Sequence, residues 1–209
     1  MSKVPNQLFI DGAYRDSTSG QRTTLINPAT EQSFAEVAAA GVADINAAIE
    51  SAHRAWESGW RDLTPGKRTE ILFNVARVLR ENLEQIAQLE TLHIGKPISD
   101  ARDEVALGAR VFEYYAGAIT KFCGQTIPVA RGGFDFTLRQ SMGVVAAIVP
   151  WNFPFPIACW KAAPALAAGN CVVLKPASLS PLTALMLGEL AHAAGLAPGV
   201  PPDVRWDCA

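Results

Sequence analysis

The chain has no run of five or more basic residues, and its 18 lysines and arginines are nearly balanced by 20 acidic residues. A formal net charge of −2 gives a phosphate backbone or an anionic lipid surface little to attract, which argues against nucleic acid and membrane as partners. Cysteine is scarce. Cys123, Cys159, Cys171 and Cys208 show neither paired nor metal-type spacing, so neither a disulfide framework nor a metal is expected. The first three sit in apolar sequence and are expected to act as small hydrophobes in a reduced, cytoplasmic setting. His53, His93 and His192 fall on separate predicted helices with no acidic or cysteine partner at a useful spacing, and read as surface or packing residues. The amino terminus lacks the apolar core of a secretory signal. The longest apolar stretch, Gly143 to Trp160, holds three prolines and Asn152, which would leave backbone groups unmet in lipid. Internal repeats and low-complexity segments are absent.

What is present suits a packed core: 49% of the 209 residues are apolar, enough for one domain or one and part of another. Leu8-Phe9-Ile10 leads into Asp11-Gly12, a hairpin-type turn; Ser17 to Gly20 gives a second turn, and Asn27-Pro28 a break. Asp44 is the expected N-cap of a helix reaching about Glu57. Thr64-Pro65 starts a longer one, a cap followed by proline at the first helical position. Its apolar stripe runs unbroken from Ile71 through Leu79 and Ile86 to Leu89, and Gly95 and Pro97 end it. Ser99 is the expected cap of a third helix carrying Val105, Ala109, Phe112, Ala116 and Ile119 to about Cys123. These stripes read as core packing.

Residues 126–129 and 134–139 flank Arg131-Gly132-Gly133 and read as a β-hairpin that either needs a partner surface or folds back on the helices. Two apolar runs follow. Val144 to Val149 stops at Pro150-Trp151-Asn152-Phe153-Pro154, and Cys171 to Leu174 stops at Lys175-Pro176. Each precedes a helix, 155–168 and then from Ser180-Pro181 to Gly195. This βαβα pattern predicts two buried parallel strands, and ligands of such sheets bind at the carboxyl ends of the strands. Those ends carry an amide, Asn152, and an ammonium, Lys175. Taken singly, Asn152 reads as a helix-capping turn residue and Lys175 as a solvated strand-end lysine; together at one end of adjacent strands they read as placed.

Val149 to Pro154, Trp160-Lys161, Pro164 to Asn170 and Val172 to Pro176 together resemble the aldehyde dehydrogenase superfamily. So do Phe9 to Gly12, Ile26 to Thr30 and Ile94-Gly95-Lys96-Pro97, and the resemblance runs from about Gln7 to about Val200. It implies an α/β fold, the start of a Rossmann-like parallel sheet preceded by long helices and an oligomerisation-type hairpin. The corresponding segments are 1–124, the hairpin arm 125–142, the first half of a cofactor domain 143–200, and the tail 201–209.

The implied activity is NAD(P)-dependent oxidation of an aldehyde to an acid, with homo-oligomerisation through the hairpin and amino-terminal strands. Asn152 resembles the oxyanion-hole amide and Lys161 a proton-relay lysine. Ile148, Val149, Pro150 and Trp151 resemble cofactor contacts, and Lys175 the lysine that holds the adenosine ribose. Ser178 stands where NAD-preferring members carry a glutamate, so both NAD and NADP stay open, with NAD favoured. Phe153, Ile157 and Trp160 resemble the lining of the substrate tunnel, with ordinary helix packing as the alternative; an aromatic wall there hints at an aromatic or branched aldehyde. A glycine fingerprint for pyrophosphate is absent, as the resemblance implies.

The family's members are more than twice as long, and the resemblance finds no counterpart here for their thiol nucleophile and general-base glutamate. Residues 201–209, with two prolines and three charged residues, are expected to form no central strand and to be an aberrant tail of a truncated product. The competing reading is a non-catalytic fragment that binds nucleotide weakly or associates through its β arm.

Overall fold

The structure, a computed structural model, describes residues 5–200 together with 203 and 204. Asp11 and Gly12 both take positive φ, 56° and 76°, as a two-residue hairpin turn demands. They join β1 (Leu8–Ile10) to β2 (Ala13–Arg15). The pair β3 (Arg22–Asn27) and β4 (Gln32–Ala38) forms around the break at Asn27-Pro28.

Helix α1 (Val42–Ala55) is capped by Gly41, so Asp44 stands one turn inside, at the third helical position. A glycine cap has no side chain to offer, and Asp44 reaches back instead. Its Oδ2 accepts from the Gly41 amide and the Ser17 hydroxyl, both at 2.9 Å, and its Oδ1 accepts from the Thr18 amide at 3.1 Å. Burial works against the charge, but these donors outweigh it and hold the carboxyl below its usual value of 3.8. Asparagine has only one acceptor oxygen and would turn an N–H₂ toward a donor. Asp44→Asn is therefore expected to cost about 1.5–3 kcal/mol at neutral pH. Because the folded-state value is depressed, the wild-type advantage is present above 3.8 and fades as pH falls through the folded value. Urea titrations of both proteins at neutral pH and at successively lower pH check this; a gap that does not narrow as the pH falls below the usual carboxylate range refutes it.

Beyond α1 the chain makes a π-helical turn, Trp56–Trp60. Thr64 then caps α2 (Pro65–Glu81), accepting from the Lys67 amide at 3.3 Å, as its sequence predicts. The stripe that continues to Leu89 belongs to two helices, not one. Asn82, at φ −104° and ψ 12°, separates α2 from α3 (Leu83–Ile94), and its Nδ2 donates to the Val78 carbonyl at 2.9 Å. Gly95, at φ 73°, ends α3 as expected. Pro97, rather than Ser99, occupies the cap of α4 (Ile98–Ala118), and a 3-10 turn, Ile119–Lys121, follows.

The hairpin forms, reduced to β5 (Thr126–Ile127) and β6 (Asp135–Phe136). Every residue from 121 to 140 is exposed, so the arm does not fold back on the helices. Cys123 is exposed in this segment and is not the buried hydrophobe expected, whereas Cys159 and Cys171 are buried.

The βαβα unit is as read: β7 (Val144–Ile148), α5 (Pro154–Ala167), β8 (Cys171–Lys175) and α6 (Leu182–Ala193), with β7 and β8 parallel. One correction concerns burial. β7 is an edge strand whose residues are mostly half-buried or exposed, not a buried one. A second concerns the tail. Asp203–Val204 forms β9, parallel to β8 and antiparallel to β1, giving the sheet order β2-β1-β9-β8-β7. In sequence both prolines precede the two paired residues, so they do not bar a strand beginning at 203. The rest of the expected aberrant tail lies outside the described residues.

Alternation along β1 and β8 gives the sheet two packed faces. Leu8, Ile10 and Val173 meet Ala48 of α1, while Phe9, Val172 and Leu174 join the main core with Leu182, Leu185 and Leu187 of α6. Helices α2, α3 and α4 pack outside α5 and α6. The main core is continuous from Phe9 to Val200, so segments 1–124 and 143–200 share one interior. β1 and β2 add to the chain's own sheet. Among the described residues, no helix is long and apolar enough to cross a membrane.

Candidate functional site

The starts of β7 and β8 are tied together by Asn170. Its Oδ1 accepts from the Met142 and Gly143 amides at 2.7 and 3.1 Å, its Nδ2 donates to the Ala165 carbonyl, and its own carbonyl accepts from the Trp60 indole at 3.0 Å. With the starts fixed, the register fixes the ends. Ile148 pairs with Lys175, and the Val149 amide donates to the Lys175 carbonyl at 3.0 Å. The turn Pro150-Trp151-Asn152-Phe153 and the Lys175-Pro176 corner therefore leave the same end of neighbouring strands.

Ile148 and Lys175 are register partners, so their side chains share a face of the sheet. Ile148 and Trp151 are exposed, Val149 and Pro176 buried, and Lys175 half-buried with its ammonium donating to the Pro176 carbonyl at a long 3.5 Å. Ser178 is half-buried in the loop beyond. An exposed apolar surface beside a loosely held ammonium suits a ligand with a flat ring and hydroxyl groups.

Asn152 and Phe153 are exposed at the mouth of α5, and both touch Lys96. The Lys96 ammonium donates to the Asn152 carbonyl at 3.3 Å, lies 4.4 Å from the centre of the Phe153 ring, and pairs with Glu104 of α4. Burial raises the Glu104 carboxyl above its usual range, against the pull of Lys96. Sequence reasoning singled out Lys96 only as part of a motif. A contact across 56 residues leaves no local signal.

The three tunnel candidates make different contacts. Trp160 lines a groove of about 440 Å³ with Leu107, Arg110, Val111, Tyr114 and Tyr115 of α4. Ile157 packs on the core, and Phe153 lies under Lys96 instead. The groove residues of α4 were missed, although Leu107, Val111 and Tyr114 recur at helical spacing beside the buried stripe. Lys161 is exposed on α5, roughly 10 Å along the helix from its start at Pro154.

Elsewhere two histidines do have acidic partners. His93 is buried with its Nε2 3.3 Å from Glu90, which also accepts from the Thr183 hydroxyl at 2.5 Å, and His53 lies 3.6 Å from Glu57. The i,i+3 and i,i+4 spacings were in the sequence and were overlooked. His192 Nδ1 lies 2.8 Å from the Leu196 carbonyl. Burial, with Glu90 nearby, pushes the Cys159 thiol far up, so it is no nucleophile at neutral pH. Among the described residues, no group of three or more metal-ligating side chains comes together.

Residues 14–204 match the family model described as "Aldehyde dehydrogenase family". Among solved structures, an indole-3-acetaldehyde dehydrogenase in apo form is 41% identical with a TM-score of 0.93, over 98% of this chain and 48% of that one. An E. coli NADP dependent enzyme is 38% identical with a TM-score of 0.95, over 99% and 43%. A P. syringae indole-3-acetaldehyde dehydrogenase in complex with NAD+ and IAA is 42% identical with a TM-score of 0.92, over 95% and 40%. The chain thus spans less than half the length of each of these structures.

Proposed function

Because the chain belongs to the aldehyde dehydrogenase family, we propose that it supplies the strand-end cofactor and oxyanion groups for NAD(P)-dependent oxidation of an aldehyde to a carboxylic acid. The observation that carries this reading is the Ile148–Lys175 register, which sets both motifs at one end of adjacent parallel strands. Ile148, Val149, Pro150 and Trp151 give the cofactor an apolar bed. Lys175 donates to ribose hydroxyls, since an ammonium has three donors on a flexible stem. Ser178 neither grips the ribose as a carboxylate would nor repels a 2′-phosphate, so the site accepts NAD or NADP, with NAD preferred. When bound, the cofactor accepts the hydride.

Asn152 stabilises the oxygen that gains negative charge as a thiolate adds to the aldehyde. A neutral donor fits that task, whereas a carboxylate would oppose it. The α4–α5 groove, with Trp160, Tyr114 and Tyr115, favours an aromatic aldehyde, and the substrate-lining roles of Phe153 and Ile157 rest on the resemblance alone. The relay role of Lys161 rests on the resemblance alone. The exposed apolar hairpin, with Phe134, Phe136 and Leu138, suits pairing with a second copy of the chain, and cysteines that form no disulfide among the described residues suit a reduced cytoplasm.

A second reading has its own observation. Among the described residues, Cys159 is buried with a raised pKa, Cys171 is buried in β8, and Cys123 is exposed just before the hairpin arm. On that reading these 209 residues bind nucleotide without turnover. Titrating the chain with NAD and NADP while following nicotinamide absorbance with a panel of aldehydes separates the two: turnover supports the first, binding alone the second, and neither defeats both. If Lys175 holds the ribose, Lys175→Met removes charged hydrogen bonds worth about 1.5–3 kcal/mol, so NAD affinity should fall roughly 10- to 100-fold. Calorimetric titration measures it, and unchanged affinity removes Lys175 from the site.

A further inference from the structure

Three segments far apart in sequence meet at one point beside the strand ends. Gly95, at φ 73°, lies so close to Pro28 that a Cβ there would stand 2.9 Å from the proline Cγ. The residue after Gly95 is Lys96, and Pro97 then caps α4. The Asn27-Pro28 turn thus seats the Gly95–Pro97 loop, and the loop aims a lysine at the turn after β7. Both side chains of the Lys96–Glu104 pair are largely shielded, at 11% and 13% exposed.

We propose that Lys96 is a positioning residue, a cationic clamp that sets the Pro150–Phe153 turn and thereby the Asn152 amide; its oxyanion purpose rests on the function proposed above. The chemistry matches a lysine. An ammonium directs three donors outward from one point, and here it meets a carboxylate, a main-chain carbonyl and an aromatic face. Glu104 fixes the charge from α4, the Asn152 carbonyl is held at 3.3 Å, and the Phe153 ring closes the other side. Held through its carbonyl, Asn152 keeps its side-chain amide available for a ligand. The clamp also joins α4, which lines the aromatic groove, to the turn that carries the amide, so the groove and the oxyanion donor move as one body.

The test reads order in the turn itself and needs no turnover. Order parameters from ¹⁵N relaxation are compared for the chain and its Lys96→Met, Lys96→Arg and Glu104→Gln variants. In the parent chain the amides of Trp151, Asn152 and Phe153 should be as rigid as the helices, at about 0.85. Lys96→Met keeps the stem but loses the charge; it should drop those three below about 0.6 while α4 and α5 stay rigid. Lys96→Arg, which retains a cation, should restore them. Unchanged order in Lys96→Met overturns the proposal, and so does loosening spread evenly through α4 and α5, which marks a merely structural lysine. If Lys96→Met fails to fold, Glu104→Gln decides: loosening confined to 151–153 supports the clamp, and a rigid turn refutes it. A parallel NAD titration of the parent chain keeps the two readings apart. Absence of binding there defeats the cofactor site and leaves the clamp to be judged on order alone.

Discussion

Asn152→Ala, introduced into an active aldehyde dehydrogenase whose amino-terminal part is residues 1–200 of this chain, is expected to lower kcat on the order of 100- to 1000-fold. The scale follows from the charge it meets. Neutral in the ground state, the aldehyde oxygen becomes an oxyanion as the thiolate adds, so a donor fixed there stabilises the transition state more than the bound substrate. KM for the aldehyde should therefore change far less than kcat. Folding should be untouched, because Asn152 is exposed and its structural tie to Lys96 is made by its main-chain carbonyl, which alanine keeps. Steady-state kinetics on both proteins give the answer. Equal kcat values would remove the amide from the chemistry and leave it as a turn residue; a rise in KM alone would make it a ground-state contact.

How far such a site can be read from letters depends on whether its signal is local. The strand ends were legible because a run of apolar, partly β-branched residues broken by proline reports both the strand and its terminus, and each pattern is held by one short stretch, Val144 to Pro150 and Cys171 to Pro176. Thr64, Gly95 and the Asp11-Gly12 turn were legible for the same reason: a cap or a positive φ is decided within three or four positions. Apolar periodicity reports a buried face but not an interruption, so the stripe crossing Asn82 concealed the division of α2 from α3. Asp44 was misplaced because the sequence cannot tell a side chain that caps from one that reaches back to a glycine cap. Pro201 and Pro202 were weighed against the whole tail, whereas pairing needs only the two residues after them. The local patterns that hold Lys96 and the α4 side of the groove do not report what they meet, since Lys96 acquires its role only against the turn after β7 and the groove only when α4 settles against α5.

That packing has one critical position. Gly108→Leu is expected to lower the stability of the chain by about 3 kcal/mol or more, a fall in Tm of roughly 6–12 °C at this size. Helix α4 crosses α5 so closely that even a Cβ at 108 would stand 2.9 Å from both Cys159 Sγ and Phe155 Cε1. Both neighbours are fully buried and neither has space to yield. Alanine places the two effects in opposition: a helix gains about 1 kcal/mol when glycine is replaced, against roughly 1–3 kcal/mol for overpacking. Leucine leaves no such balance, because its branch must push α4 away from α5. The displacement would not stay local, since α5 begins directly after Asn152 and Phe153, and Trp160 faces Leu107 and Val111 across the same contact. Ligand affinity at the strand ends should therefore fall along with the melting temperature. Trimming the neighbour isolates the cause. Cys159→Ala in the Gly108→Ala background should recover part of the loss, a coupling that independent sites do not show. Thermal melts of the four proteins in that cycle, with Gly108→Leu alongside, decide the matter: a leucine variant melting within about 2 °C of the parent would mean the two helices do not approach as closely as the glycine implies.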